Sequence, residues 1–256
     1  MARSDTTTHR SAQIAYALPL LRQHARALTG SQCLGDACVV ATIEAILRDP
    51  EAFDPGGSPR LALFRLFSDL FNALGADEPV KPTASVMRQA LLLRGVQGFS
   101  DQETAEILRV DVPTVTAWCE QAARELQDQP CRAALIMEDG PLEAMDLESL
   151  LETLGHTVVG IARDYREAVS LAKDKQPTLL LGTMVLNDGH TGVDAVDAIL
   201  RFLSAPVVFI TAYPHGFLTG SRPEPVFVLG KPLHPGAVAT MIAQAIDLYG
   251  DNDGRS

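Results

Sequence analysis

The stretch Ala133-Ala134-Leu135-Ile136-Met137-Glu138-Asp139-Gly140 decides the fold: five apolar residues, then two carboxylates, then a glycine. An apolar run this short, closed by charged and turn-forming residues, reads as a strand buried on both faces. The same texture recurs at 157–161, 178–182, 206–210 and 226–229, alternating with helical patterns near 141–154, 164–175, 192–203 and 235–249. Five such repeats predict a doubly wound five-stranded parallel sheet of order 2-1-3-4-5. That order brings the C-terminal ends of strands one, three, four and five to one edge, where α/β sheets place their ligand and switch residues. Polar side chains fall there: Glu138 and Asp139 after strand one, Thr183 after Leu179-Leu180-Leu181-Gly182, Thr211 after Val207-Val208-Phe209-Ile210, and Lys231 after Val226-Phe227-Val228-Leu229-Gly230.

Upstream the texture is helical, so the fold class is α plus α/β, with a helical domain over 10–128 and the α/β domain over 133–250. From Pro19 to Leu47 apolar residues recur at helical spacing, broken at Thr29-Gly30-Ser31, where glycine ends one helix and serine caps the next. After a loop at 53–59, the stripe Leu63, Leu66, Phe67, Leu70, Phe71 and Leu74 reads as a core-facing helix closing a subdomain over 12–74. A polar, proline-containing linker covers 75–84. The subdomain over 85–128 has a helix around Met87 to Arg94, then Ser100 and Glu103 as a capping box, and a last helix opening at Pro113, the pattern of a helix-turn-helix.

Composition narrows the function classes. A net charge of -11 disfavours nonspecific binding to nucleic acid or to an anionic membrane. No apolar run approaches the roughly 20 residues that span a bilayer, and Met1 to Thr8 lacks an export core, so the expected location is the cytoplasm. The cysteines Cys33, Cys38, Cys119 and Cys131 lack paired ligand spacing and read as structural thiols. His24, His156, His190, His215 and His234 are scattered and form no catalytic set with Ser or Cys, so no enzyme is expected.

The strand-end residues resemble the corners of a two-component receiver. In such a site an aspartate at the end of strand three takes the phosphoryl group and shares magnesium with carboxylates after strand one. A threonine hydroxyl and a lysine then meet the phosphoryl oxygens. Glu138, Asp139, Thr211 and Lys231 match those roles, and Glu138 and Asp139 are the expected metal ligands. The acceptor position holds Thr183, a weaker metal ligand than a carboxylate and a poor nucleophile without a general base. The magnesium site is therefore weakened or absent, and Lys231 is expected to pair with Glu138 or Asp139. Asp188, in Asn187-Asp188-Gly189, is the nearest substitute acceptor, but its natural reading is a turn residue.

Longer stretches carry a more specific resemblance. Ala134 to Leu150, Gly155 to Arg163, Phe209-Ile210-Thr211-Ala212-Tyr213-Pro214, Phe217-Leu218-Thr219-Gly220, Arg222-Pro223-Glu224-Pro225 and Lys231-Pro232 resemble the receiver of the PhyR-type general stress response regulators of alphaproteobacteria. Leu21 to Ser31 and Arg88 to Leu93 with Gly98-Phe99-Ser100 look like regions two and four of an extracytoplasmic-function sigma factor. The resemblance covers about 12–249. It implies a sigma-like domain that captures a NepR-type anti-sigma protein, released by receiver phosphorylation through a histidine kinase. Thr183 puts that trigger in question.

The helix-turn-helix offers an independent test. From Asp101 to Gln127 there are six acids, Asp101, Glu103, Glu106, Asp111, Glu120 and Glu125, against Arg109 and Arg124, a balance of -4. A DNA-reading helix needs bases at its exposed N-terminal end, and this one begins Pro113-Thr114-Val115-Thr116. Trp118 reads as core before it reads as a partner anchor. The leading expectation is an atypical response regulator acting as an anti-anti-sigma factor, independent of aspartyl phosphorylation and without DNA or membrane partners. The alternative is a DNA-binding sigma-like transcription regulator with a pseudo-receiver.

Overall fold

The computed structural model describes residues 2–49, 58–74, 82–127, 130–186, 189–220 and 224–253. Two compact units divide the chain: Met1–Ala122 with His215–Glu224, and Ala123–Pro214 with Pro225–Ser256. His215–Glu224 lies in sequence between the fourth and fifth strands, yet its contacts group it with the helices.

The helical unit begins with α1 (Ala2–Thr29) and α2 (Gln32–Arg48). The N–H of Gly30 donates to the Arg26 carbonyl at 2.8 Å, and the Ser31 hydroxyl accepts from Leu34 N–H, so the break falls where the sequence placed it. The pair packs tightly because Gly35 lies against the backbone of α1, where an added Cβ would come within 2.7 Å of the Arg26 nitrogen. Two differences from the sequence reading concern ends: α1 starts at Ala2, and Pro19 lies inside it.

Next come α3 (Pro59–Leu74), α4 (Pro82–Leu91), a π turn over Leu92–Val96, α5 (Asp101–Leu108) and α6 (Val112–Gln127). The buried face of α3 is Leu63, Phe64 and Phe67, while Leu74 is 64% exposed. The expected stripe is thus rotated towards Phe64, which stacks edge-on against Phe99 at 5.1 Å between centroids. Each of these fully buried side chains contributes about 1.5–3 kcal/mol by leaving water. The capping box of Ser100 and Glu103 caps α5, and the Asp111 carboxylate accepts from Thr114 N–H to open α6. The helix expected around Met87 starts earlier, at Pro82, and ends in the π turn. The expected loop at 53–59 and linker at 75–84 fall largely outside the described residues.

The α/β unit is a five-stranded sheet of order β2-β1-β3-β4-β5. Its strands are β1 (Ala133–Met137), β2 (Thr157–Ala162), β3 (Leu179–Thr183), β4 (Val207–Thr211) and β5 (Val228–Gly230), all paired in parallel. Helices α7 (Pro141–Thr153), α8 (Tyr165–Lys175) and α9 (Gly192–Ile199) form the first three crossovers, a 3-10 turn over Pro214–Phe217 lies in the fourth, and α10 (Pro235–Asp253) closes the unit. Leu135, Ile136, Leu179, Leu180 and Val208 are fully buried, as expected of central strands covered on both faces.

Candidate functional site at the strand ends

Parallel pairing brings the sequence-predicted corner together. β1 pairs with β3 and β3 with β4, and β4 pairs with β5, so their C-terminal ends share one edge. Glu138 follows β1 directly and is anchored through its own backbone, its N–H donating to the Ala162 carbonyl at 3.0 Å. Its side chain is 4% exposed. Lys231 follows β5 and is held by its N–H on the Thr211 carbonyl at 2.8 Å.

The two side chains meet: Lys231 Nζ donates to Glu138 Oε2 at 3.0 Å. The other carboxylate oxygen, Oε1, accepts from Gly140 N–H at 3.2 Å. A hydrogen bond to a charged partner contributes about 1.5–3 kcal/mol, so this pair is a firm feature of the corner. Thr211 is 5% exposed, and its hydroxyl accepts from Tyr213 N–H at 3.1 Å. Thr183 ends β3 half-buried, in register with Ile210 of β4. The start of α9 presses against the Thr183 carbonyl so closely that Gly192 has no room for a Cβ. Asp139 is half-buried beside Glu138. Asp188, weighed as a substitute acceptor, lies outside the described residues.

This donor set is a weak match for a magnesium ion. Each oxygen of Glu138 already accepts a hydrogen bond, from Lys231 and from Gly140, and the strand-three position offers a neutral hydroxyl, a weaker ligand than a carboxylate. Among the described residues no group of three or more His, Cys, Asp or Glu side chains is placed to hold a metal ion.

A second charged cluster escaped sequence reasoning. Arg26, on α1, has a fully buried side chain and forks onto Asp36 of α2 at 2.9 and 2.8 Å. Its terminal nitrogen also donates to Glu224 Oε2 at 2.9 Å. Glu224 further accepts from Thr219 N–H at 3.1 Å, Thr219 Oγ1 at 2.6 Å and Gly220 N–H at 3.1 Å, and its own N–H donates to Gln32 Oε1 at 2.8 Å. Arg22 adds a bond to the Leu218 carbonyl at 3.1 Å. Burial pushes the Glu224 carboxyl up, but the donors of Thr219, Gly220 and Arg26 outweigh it and hold it below the ordinary value. In sequence the signals were an arginine amid the apolar positions Leu21, Ala25 and Leu28 and the presence of Thr219, Gly220 and Glu224 in the stretches that carry the family resemblance.

Known proteins resemble the chain over both its helices and its sheet. The family profile described as the Sigma2 domain of PhyR matches residues 14–68, and that described as the response regulator PhyR, sigma-like domain, matches residues 82–129. The phyllosphere-induced regulator PhyR of Methylorubrum extorquens is 44% identical over 243 residues, 90% of this chain and 91% of that protein. The chain belongs to the PhyR family. The crystal structure of the response regulator PhyR from Brucella abortus superposes with a TM-score of 0.87 at 43% identity, covering 95% of this chain and 96% of that one. The anti-anti-sigma factor PhyR from Bartonella quintana gives 0.88 at 41% identity, covering 96% and 98%. The Bartonella quintana PhyR has also been crystallised with the anti-sigma factor NepR. These PhyR proteins are regulators by name, and their likeness spans both the helices and the sheet of this chain.

Proposed function

We propose that this chain is a PhyR-type anti-anti-sigma factor whose helical unit captures a NepR-type anti-sigma protein, without catalysis and without aspartyl phosphorylation as its trigger. The partner class is supported by full-length likeness to an anti-anti-sigma factor that has been crystallised with NepR. Phosphate independence rests on one observation: at the strand ends Lys231 is paired with Glu138, and Thr183 stands where the chemistry consumes a carboxylate. A ligand shifts an equilibrium only through a differential interaction with its two states, and this corner offers phosphate none.

The DNA-binding alternative loses its residues. The first turn of α6 carries no base, Arg94 is paired with Asp101, and Arg109 is forked onto Asp69 at 2.9 and 2.8 Å. No helix among the described residues is long and apolar enough to cross a membrane. The deciding experiment titrates the full chain with a NepR-type protein by calorimetry, with and without acetyl phosphate and magnesium. Binding is expected with one affinity in both conditions. Retardation of promoter DNA at physiological salt, without anti-sigma binding, reverses the assignment.

A further inference from the structure

Arg60, on α3, reaches out of its own half of the helical unit. Its guanidinium lies 4.2 Å from the centroid of the Phe99 ring and 5.7 Å from that of Phe64, and it donates to the Gln97 carbonyl. Gln97 and Phe99 belong to the turn that leads from the π turn into α5, on the far side of the linker from α3. Burial lowers the pKa of Arg60 from its usual value, with Glu103 of α5 and Tyr16 of α1 acting in the opposite direction. Four segments, α1, α3, the Gln97–Phe99 turn and α5, therefore converge on one side chain.

The surroundings are polar for so buried a joint. Gln97 Nε2 donates to Gln23 Oε1 of α1 at 3.0 Å, with the two residues only 6% and 5% exposed. Gln97 Oε1 and Arg60 Nε are buried without hydrogen-bond partners. Farther along the same seam lie Arg65 to Glu106 at 3.0 Å and the Arg109 fork on Asp69. Phe64 against Phe99 supplies the apolar contact beneath the guanidinium. A buried polar joint that is only partly satisfied contributes little net stability. Its bonds form in one relative placement, so what it contributes is register.

We propose that Arg60 is a positioning residue, which locks the α1–α3 half and the helix-turn-helix half in a single register so that together they present one composite surface to the anti-sigma partner. The proposal rests on the function given above. An apolar replacement of similar reach should keep the fold, since the joint carries little net stability, but should let the halves slide. A residue that merely stabilised the fold would do the opposite.

The test uses the full chain with spin labels on unnatural amino acids at Leu47 of α2 and Glu120 of α6, both exposed. Distances are measured in the parent, in Arg60→Met and in Phe99→Leu, which keeps apolar volume under the guanidinium and serves should Arg60→Met fail to fold. The expected result is a single narrow distance in the parent and a broadened distribution in the variants. Helix content should be unchanged, the melting temperature should stay within about 4 °C, and affinity for a NepR-type protein should fall about tenfold. An unchanged distance distribution in a folded variant overturns the proposal, and so does a broadened one with parental affinity. If the parent itself does not bind the anti-sigma protein, the functional reading fails while the distances still decide whether Arg60 sets the register.

Discussion

Arg26 and Glu224 stand 198 residues apart in sequence and meet at 2.9 Å, with side-chain exposures of 0% and 1%. Such a pair is costly to break from one side, because the survivor is left charged in a dry setting.

Replacing Glu224 by Gln should therefore destabilise the helical unit by about 2 kcal/mol, less than the full cost of an orphaned ion because Asp36 still holds Arg26. The carboxyl lies below its ordinary value when folded, so its contribution is present above the unfolded value and is lost as pH falls through the folded one. Urea unfolding followed by Trp118, the one tryptophan, reports on this unit. A midpoint unmoved by Glu224→Gln would show that the pair contributes nothing net.

Acetyl phosphate or a histidine kinase should leave the intact mass of the protein unchanged, since neither Thr183 nor the committed Glu138 offers an acceptor. A phosphoryl adduct abolished by Asp188→Ala would transfer the acceptor role to that residue.

Thr183→Asp should restore magnesium binding and phosphorylation. The new carboxylate joins Asp139 at the strand edge and competes for Lys231, freeing Glu138 to contribute a ligand. Calorimetric titration with magnesium checks the first step and intact mass the second. A folded variant inert in both would mean that the Lys231–Glu138 pair itself blocks the site.

His24 supplies a pH prediction. It is fully buried, edge-on to Phe64 and Phe67, and burial lowers its pKa to about 3. A base whose folded value lies below its unfolded value of about 6.5 costs the protein stability as pH falls from 6.5 towards 3, because the unfolded chain takes up the proton first. Between pH 7 and pH 5 this amounts to about 2 kcal/mol. His24→Leu should flatten that part of the pH profile while lowering stability at neutral pH. An equally steep acid loss in the variant would assign the effect to other groups.

Local chemistry explains which parts of the molecule were legible in sequence. The strands begin and end within about two residues of their expected places, because a short apolar run closed by a charge or a glycine has few other solutions in a doubly wound sheet. Glu138 and Lys231 meet, with Thr211 at the neighbouring strand end, because strand order carries all three to one edge. The start of α1 was hidden, since Ala2 to Arg10 shows no apolar period. Phe64 in place of Leu74 on the buried face of α3 depends on Phe99, 35 positions along the numbering, and the burial of Arg26 depends on Glu224. Contacts made across such separations leave no periodic trace in either partner's neighbourhood.

Thr183 also bears on time. An acyl phosphate on aspartate decays at a characteristic rate, so a phosphorylated receiver remembers its stimulus for the lifetime of that bond. Under the proposed phosphate-independent function, a domain with a hydroxyl at this position keeps no such clock. On the proposed reading its output follows abundance, each molecule titrating one anti-sigma molecule for as long as it exists, and the decision to respond passes from a kinase to the synthesis and turnover of the protein itself.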